Sequence, residues 1–356
     1  MCKRANMTGF HLVEGMPTRV AASLALLFSI IPAGALHAEA PLSYLVGYGM
    51  RARSIATLTW ALMLISAVVV IVVVGLLLAA LRRGDSFAAF APGTQLPVAR
   101  PAGGASWIYV GVGTSTLVLF VMAIWTVVTL AHVANPPRTD SALKIEITGH
   151  QWWWEVRYLS PDVSREFTTS NEIHIPLKQA VEVELRGVDV IHSFWVPALI
   201  GKTDVIPGQA NRTWIEADKP GVYRGQCGEY CGEQHAHMGF EVIASSPEDF
   251  QKWWDSQLNT QPGAAPEAAQ AQNTFIAKCG ICHTVRGIGA GGHLGPDLTH
   301  LLGRRTIGAA LLPNTRGHRS AWIADPQHLK PGNYMPRLEL SGPELTAVSN
   351  YLDTLN

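Results

Sequence analysis

The chain has 356 residues, enough for two or three domains, and its formal net charge is zero. Hydrophobic residues make up 48% of it and charged residues only 15%. This composition is too apolar for an ordinary soluble protein and indicates membrane segments. The balanced charge gives no reason to expect a nucleic-acid partner.

The first apolar segment has the features of a signal peptide. Residues 20–31 are too few to span a bilayer, and Pro32 and three small residues follow them. We predict a signal peptide over residues 1–38, cleaved near residues 35–38. Met16 is a candidate for the true start, because Met16-Pro-Thr-Arg19 makes a compact basic leader.

Two longer apolar segments follow. Residues 55–81 contain no Asp, Glu, Lys or Arg, and residues 107–133 form a second uncharged stretch. Each exceeds the roughly 20 residues that a helix needs to cross a bilayer. The alternative, a buried core helix, is normally shorter and apolar on one side only. We therefore predict two transmembrane helices, and the exported signal places everything after about residue 138 outside the cytoplasm.

The next segment has the period of β-strands. Residues 143–147 and 181–185 alternate between apolar and polar side chains, and Pro-Gly pairs at 207–208 and 220–221 separate further short runs. This pattern predicts an antiparallel β-sandwich or barrel over residues 139–256.

Soft metal ligands cluster near the end of this segment. Cys227 and Cys231 are four residues apart, and His235 and Met238 follow them. Two thiolates on one loop can bridge two copper ions, with His235 and the distant His192 each binding one ion and Met238 supplying a weak thioether. The alternative is a disulfide between the two cysteines, which an exported compartment favours.

Three other histidines are weaker candidates. His237 lies between two of the proposed ligands and remains a rival for the imidazole position. His150 and His174 have no partner at metal-ligand spacing, so we expect them to be hydrogen-bonded structural residues.

Four motifs carry a resemblance to a known family. They are Gly149-His-Gln-Trp-Trp-Trp154, Asp189-Val-Ile-His192-Ser with Pro197, Lys202-Thr-Asp204-Val-Ile-Pro207-Gly208, and the loop from Cys227 to Met238. In this order they resemble the CuA domain of cytochrome c oxidase subunit II, which implies a cupredoxin-like sandwich with a binuclear copper site. The copper ligands that the resemblance implies are His192, Cys227, Glu229 through its backbone carbonyl, Cys231, His235 and Met238.

The resemblance implies two further roles. The Glu229 carboxylate would turn toward a magnesium ion shared with subunit I. Trp152 would be the aromatic surface residue through which such domains receive electrons from a cytochrome.

A second domain follows a linker. Residues 257–267 are polar and rich in Pro, Gly and Ala, which is typical of linkers. In the last part of the chain, residues 268–356, Cys279-Gly-Ile-Cys282-His283 is the attachment signature of a c-type haem, with His283 as an iron ligand. A redox dithiol and half a zinc site are the alternatives for a bare Cys-x-x-Cys. Met335 is the methionine available in this domain as the second axial ligand.

Further motifs of this domain resemble class I cytochrome c, which implies an all-α fold. They are Gly295-Pro-Asp-Leu298, Pro313-Asn-Thr315 and Trp322-Ile-Ala-Asp-Pro-Gln. The whole chain thus resembles cytochrome c oxidase subunit II with a fused cytochrome c domain. The resemblance implies that this chain is the electron-entry subunit of a haem-copper terminal oxidase. The subunit would pass electrons from a cytochrome c-type donor through haem c and CuA to the haem of subunit I.

The resemblance also implies partners, a location and a coupled activity. Oxygen reduction needs a haem-copper pocket with several histidines inside the membrane, and the two apolar segments here contain only one histidine, His132. The reduction of oxygen to water and the pumping of protons would therefore take place in subunit I and other oxidase subunits. The chain would be a multi-pass protein of the bacterial inner membrane, with copper and haem on the periplasmic side. The alternative function is a free-standing membrane-tethered electron shuttle. A third possibility, a factor that delivers copper during assembly, would not need a haem.

Charge divides unevenly between the two extramembrane domains. Residues 139–257 hold 10 Lys and Arg against 18 Asp and Glu, whereas residues 268–356 hold 8 against 5. The opposite net charges should attract the two domains to each other, and salt should weaken this attraction because exposed charges are screened. We expect the linker to act as a flexible tether that keeps the domains close.

Overall fold

The computed structural model describes residues 42–82, 104–134, 143–260 and 268–356. The signal peptide predicted over residues 1–38 lies outside the described residues, as do residues 261–267 of the predicted linker.

Two long apolar helices come first. Helix α1 spans Met50–Arg82 and helix α2 spans Gly104–Ala134. Both are long and apolar enough to cross a membrane, and most of their large apolar side chains are exposed. The two apolar helices of the predicted fold are therefore confirmed, each a few residues longer than its apolar run.

Polar contacts fix these helices to the next domain. The Arg51 guanidinium in the first turn of α1 donates to the hydroxyl of Thr213 and to the carbonyl of Trp214, both at 2.7 Å. The Trp214 indole donates in turn to the carbonyl of Val133, near the end of α2, at 3.2 Å. Arg53 pairs with Asp218 at 2.6 Å. The start of α1 and the end of α2 therefore lie on the same side of the molecule.

The middle domain is a sandwich of two five-stranded sheets. Its strands are β1 (Leu143–His150), β2 (Trp153–Leu159), β3 (Phe167–Ser170), β4 (Glu172–Pro176), β5 (Val181–Gly187), β6 (His192–Trp195), β7 (Thr203–Val205), β8 (Asn211–Ile215), β9 (Gly221–Cys227) and β10 (Gly239–Ser245). The strand orders are β3-β2-β1-β5-β8 and β4-β10-β9-β6-β7.

The predicted sandwich is confirmed, but each sheet also contains one parallel pair. Strand β1 pairs in parallel with β5, and β10 pairs in parallel with β4. The other pairs are antiparallel. Alternation along a strand reports which face is buried and says nothing about the direction of its neighbour.

Aromatic side chains fill the core between the sheets. Trp154 is fully buried, and its ring meets those of Phe194 and Phe240 edge-on at 6.0 and 5.4 Å. Helix α3 (Pro247–Leu258) closes one side: Ser246 caps its first turn, and its buried Phe250 and Trp254 belong to the same core.

The C-terminal domain is mainly helical, as predicted. Its helices are α4 (Ala269–Cys279), α5 (Arg316–Ala324), α6 (Pro326–Leu329) and α7 (Gly342–Leu352). Helices α4 and α7 pack through Phe275 and Tyr351, whose ring centroids are 5.0 Å apart. Two short antiparallel ladders add to the helices: β11 (Thr284–Val285) with β12 (Ala290–Gly291), and β13 (Thr306–Ile307) with β14 (Leu312–Pro313).

Candidate metal centre and haem site

Two neighbouring strands bring the first metal-ligand candidates together. His192 begins β6 and Cys227 ends β9, and the register of this antiparallel pair sets Phe194 opposite Cys227. Backbone hydrogen bonds hold both ends of the following loop: Gly228 donates to Ser193 at 2.8 Å, and Cys227 donates to Met238 at 3.0 Å. The loop therefore folds back over the end of the sandwich.

The side chains of this loop converge on one point. The Cys227 and Cys231 sulfurs are 3.8 Å apart, and the His192 Nδ1 atom lies 3.9 Å from the Cys227 sulfur. The His235 Nδ1 atom is 3.6 Å and the Met238 sulfur 3.7 Å from the Cys231 sulfur. Both cysteines are buried free thiols, so the structure has no disulfide between them. Thiol, thioether and imidazole donors in one cluster suit copper.

The remaining candidates of the loop lie at different distances. The Cys227 sulfur is 3.2 Å from the backbone carbonyl oxygen of Glu229, whereas the Glu229 side chain is exposed. His237 is exposed as well, and its Nδ1 atom shares a hydrogen bond of 2.7 Å with Gln234 Oε1. The geometry therefore favours His235 over His237 as a metal ligand.

Asp189 orients the His192 ring. Its carboxylate accepts from His192 Nε2 at 2.8 Å, which leaves Nδ1 on the side of the sulfurs and available to a metal. Burial opposes ionisation of Asp189, but hydrogen bonds from His192, Val190 and Gln151 lower the pKa of its carboxyl. Burial likewise opposes the charged His192 ring, and hydrogen bonds to Asp189 and Cys227 raise the pKa of that ring.

The contact between the two thiols shifts their pKa values in opposite directions. The hydrogen bond from Cys231 outweighs burial and lowers the pKa of Cys227, and the same bond raises the pKa of Cys231. Thiolates are the form that binds metals, so both sulfurs have to be deprotonated when a metal binds them.

A cavity in the C-terminal domain contains all four haem-ligand candidates. Its volume is about 380 Å³. Its wall includes Cys279, Cys282, His283 and Met335, together with the apolar side chains of Phe275, Leu298, Leu301, Ile323, Val348 and Leu352. Both cysteines are free thiols. An apolar cavity with two thiols, an imidazole and a thioether in its wall fits a covalently attached haem.

The His283 ring is fixed within this cavity. Its Nδ1 atom hydrogen-bonds to the carbonyl oxygen of Pro296 at 2.8 Å, which leaves Nε2 as the nitrogen for iron. Gly295 makes room for the ring, since a Cβ atom at that position would lie 2.6 Å from His283 Cε1.

The two domains meet at the cavity. Gln151, Trp152 and Trp153 of the sandwich form part of its wall. Trp152 is only 7% exposed, because Tyr334 of the C-terminal domain stacks over it with ring centroids 6.2 Å apart. The expectation that Trp152 is a surface residue is therefore wrong for this chain. The Trp152 indole also donates to the carbonyl oxygen of Cys231 at 3.0 Å, so this side chain contacts both candidate sites.

Two residues of ionisable type are buried at this boundary. Lys330 and Glu172 are each 3% exposed, and each bonds to backbone atoms of the other domain. No sequence pattern marks either residue, because the partners are backbone groups. The rings of His150 and His174 stack on Trp153 and Trp253, at 4.3 and 4.0 Å between centroids, which is a structural role.

Two family descriptions match this chain. Residues 143–245 match the periplasmic domain of cytochrome C oxidase subunit II, and residues 268–356 match cytochrome c. The sandwich that holds the sulfur and imidazole cluster is therefore similar to a cytochrome c oxidase subunit II periplasmic domain. The helical domain with the Cys-x-x-Cys-His motif is similar to cytochrome c.

Individual relatives agree with these matches. Cytochrome c oxidase subunit 2 of Alkalihalophilus pseudofirmus is 38% identical over 224 residues, which cover 62% of this chain and 64% of the relative. The protein of the same name from Bacillus sp. (strain PS3) is 29% identical over 258 residues, covering 67% and 71%. The chain thus spans a little under two thirds of the length of the first of these relatives.

A solved structure is also similar. It is the periplasmic domain of subunit II of cytochrome oxidase from Bradyrhizobium japonicum, with 35% sequence identity and a TM-score of 0.31. The match covers 34% of this chain and 95% of that one.

Proposed function

We propose that this chain is the subunit through which electrons enter a proton-pumping haem-copper terminal oxidase of the respiratory chain. The observation that carries the proposal is the position of Trp152, which contacts the metal-ligand loop at Cys231 and lines the haem cavity. The subunit II and cytochrome c matches support it. The oxygen-reducing site would lie in subunit I.

The proposed ligands follow the geometry of the two sites. His192, Cys227, Cys231, His235 and Met238 would hold two copper ions, with the Glu229 carbonyl as a further donor. Cys279, Cys282, His283 and Met335 would hold one haem c. When bound, these groups would supply reversible one-electron carriers, and the thioether and imidazole ligands would suit the haem to a high potential.

The chain's own residues prepare both sites. Asp189 keeps the His192 ring turned toward the sulfurs, and the carbonyl of Pro296 does the same for the His283 ring. Burial of the two cysteines excludes water from the metal cluster. Trp152 is buried, donates to the carbonyl oxygen of Cys231 and stacks on Tyr334, so its side chain contacts the metal-ligand loop and the C-terminal domain.

The proposal includes a membrane location and further partners. Helices α1 and α2 would anchor the chain as a multi-pass protein of a bacterial inner membrane, with both domains on the periplasmic side. Other oxidase subunits would pack against these helices, whose apolar side chains are mostly exposed. The exposed Glu229 carboxylate would contribute to a magnesium site at the boundary with subunit I. A cytochrome c-type protein would donate the electrons.

Purification from native membranes tests the proposal. A tagged full-length chain should bring down a polytopic haem-bearing subunit, and the isolated complex should consume oxygen with a reduced cytochrome as donor. Replacing Cys227 and Cys231 by serine should abolish oxygen consumption while the covalent haem remains. Isolation of the chain alone, with its metals bound and with no oxidase activity in the fraction, would instead favour a free-standing electron shuttle.

A further inference from the structure

The interface between the sandwich and the C-terminal domain contains two buried charges, one contributed by each domain. The inference drawn from them rests on the proposed function, because it concerns how the haem cavity is held beside the copper-ligand loop.

Lys330 is the charge contributed by the C-terminal domain. It is 3% exposed and follows the end of α6, five residues before the haem-ligand candidate Met335. Its amine donates to the carbonyl oxygens of Trp152 at 2.7 Å and His237 at 2.8 Å, both in the sandwich, and of Gly308 at 3.2 Å in its own domain. Burial lowers the pKa of this amine to about 7. In its ammonium form the group has three donors, and the three carbonyls satisfy all of them.

Glu172 is the charge contributed by the sandwich. It begins β4 and is also 3% exposed. Its Oε1 atom accepts from the backbone N–H groups of Arg305 at 2.6 Å and Thr306 at 3.1 Å, at the start of β13. Burial raises the pKa of this carboxyl, and the two backbone N–H bonds oppose that shift.

Both contacts end on the wall of the haem cavity. Lys330, Thr306 and Gly308 all line it, and Trp152 lines it from the sandwich side. The contacts of the two residues thus reach separate points of this cavity wall. Further interdomain bonds surround them: Gln234 to the carbonyl of Pro331, Arg224 to the carbonyl of Ala310, Gly239 to the carbonyl of Ala309, and Arg305 to Glu241.

Backbone partners make these contacts specific for one arrangement. A carbonyl oxygen or an amide N–H binds only within a narrow range of distance and direction, whereas an exposed ion pair tolerates many poses. Charges this deeply buried are also screened little by salt. The contacts therefore favour a fixed orientation over the salt-sensitive tethered docking that the distribution of charge suggested.

We propose that Lys330 and Glu172 are positioning residues that hold the C-terminal domain on the sandwich in one docked arrangement, with the haem cavity turned toward Trp152. In this role neither residue touches copper or haem. Each acts by fixing the position of the C-terminal domain, which contains the haem cavity.

The test uses the full-length chain, loaded with copper and haem, and compares Lys330→Met and Glu172→Met with matched controls. Lys278→Met removes an exposed lysine of the same domain that pairs with Glu344, and Glu182→Met removes an exposed acid of the sandwich that pairs with Lys144. The first readout is hydrogen exchange at the backbone amides of residues 305 and 306, which does not depend on electron transfer. The second is the rate of haem-to-copper electron transfer after flash photoreduction, measured at low and high salt.

The docked arrangement predicts distinct results. Exchange at residues 305 and 306 should rise by about tenfold or more in both variants, since a satisfied buried charge is lost, and stay unchanged in both controls. The transfer rate should be independent of salt in the unmodified chain, and slower and salt-dependent in both variants.

Two results would overturn the inference. In the first, the amide exchange rates and the electron-transfer rates of both variants equal those of the controls. In the second, the electron-transfer rate of the unmodified chain falls steeply as the salt concentration rises. The salt series needs no variant, so it decides the matter even if a variant fails to fold. Absence of copper or of covalent haem would instead refute the proposed function and leave the exchange measurement interpretable.

Discussion

The indole N–H of Trp152 donates to the backbone carbonyl oxygen of Cys231 at 3.0 Å. This bond ties a side chain of the haem cavity to the loop that carries the sulfur ligands. Its geometry suggests a simple comparison of two substitutions.

We expect Trp152→Leu to slow haem-to-copper electron transfer more than Trp152→Phe does. Phenylalanine keeps an aromatic ring under Tyr334 and loses only the bond to Cys231, whereas leucine loses both. Copper and haem contents should stay the same in the two variants. Flash photoreduction of the full chain provides the rates, and equal rates for the unmodified chain and both variants would show that electrons bypass this side chain.

A second expectation concerns Asp189. Asp189→Asn should lower copper affinity by about 10- to 100-fold, because the carboxylate fixes the orientation of the His192 ring. Asp204→Asn, which changes an exposed aspartate of β7, serves as the control. Titration of copper against a competing chelator measures both affinities. Equal affinities for the two variants would mean that the sulfurs alone determine binding.

Gly295 and Gly289 offer a matched pair of substitutions near the haem. A Cβ atom at position 295 would lie 2.6 Å from the His283 ring, whereas one at position 289 has nothing within 4 Å. Gly295→Ala should therefore displace the His283 ring and change the absorption spectrum of the covalently bound haem, while Gly289→Ala should not. Identical spectra for the two variants would show that the His283 ring does not need the space at position 295.

The fourth expectation is a pH dependence of stability. Burial lowers the pKa of His174 to about 3, from an ordinary value near 6.5. Between those two pH values the unfolded chain binds a proton that the folded chain does not, so this residue should destabilise the fold progressively as pH falls below about 6.5. Its contribution is at most about 1.4 kcal/mol per pH unit.

His174→Phe preserves the stacking on Trp253 and removes the titrating group. The thermal unfolding temperature of the full chain should then fall less steeply between about pH 6.5 and pH 4. His328→Phe, a change at an exposed position in α6, should leave the slope as it was. If the slopes of the unmodified chain and His174→Phe coincide, another group is responsible for acid sensitivity.

Local sequence patterns predicted most of the architecture. The two apolar runs, the alternating strands and the Cys-x-x-Cys-His motif each depend on neighbouring residues, so composition and spacing were sufficient. Cys227, Cys231, His235 and Met238 lie on one loop, and their spacing alone brought the sulfurs and the imidazole within reach of each other. Ligand chemistry proposed the more distant His192 and the resemblance supported it, and the pairing of β6 with β9 explains its position.

The relation between the domains could not be predicted in this way. Counting charges led to an expectation of loose electrostatic docking, whereas Lys330 and Glu172 bind backbone groups that no count includes. The burial of Trp152 depends on Tyr334, which is 182 residues away in the sequence.

The copper-to-haem ratio of the purified chain tests the central claim most directly. Elemental analysis together with electron paramagnetic resonance should give two copper ions for each covalent haem and the spectrum of a mixed-valence pair, since two buried thiols 3.8 Å apart can bridge two metals. One copper ion per haem with a mononuclear copper spectrum would contradict the binuclear site and the electron path proposed through it.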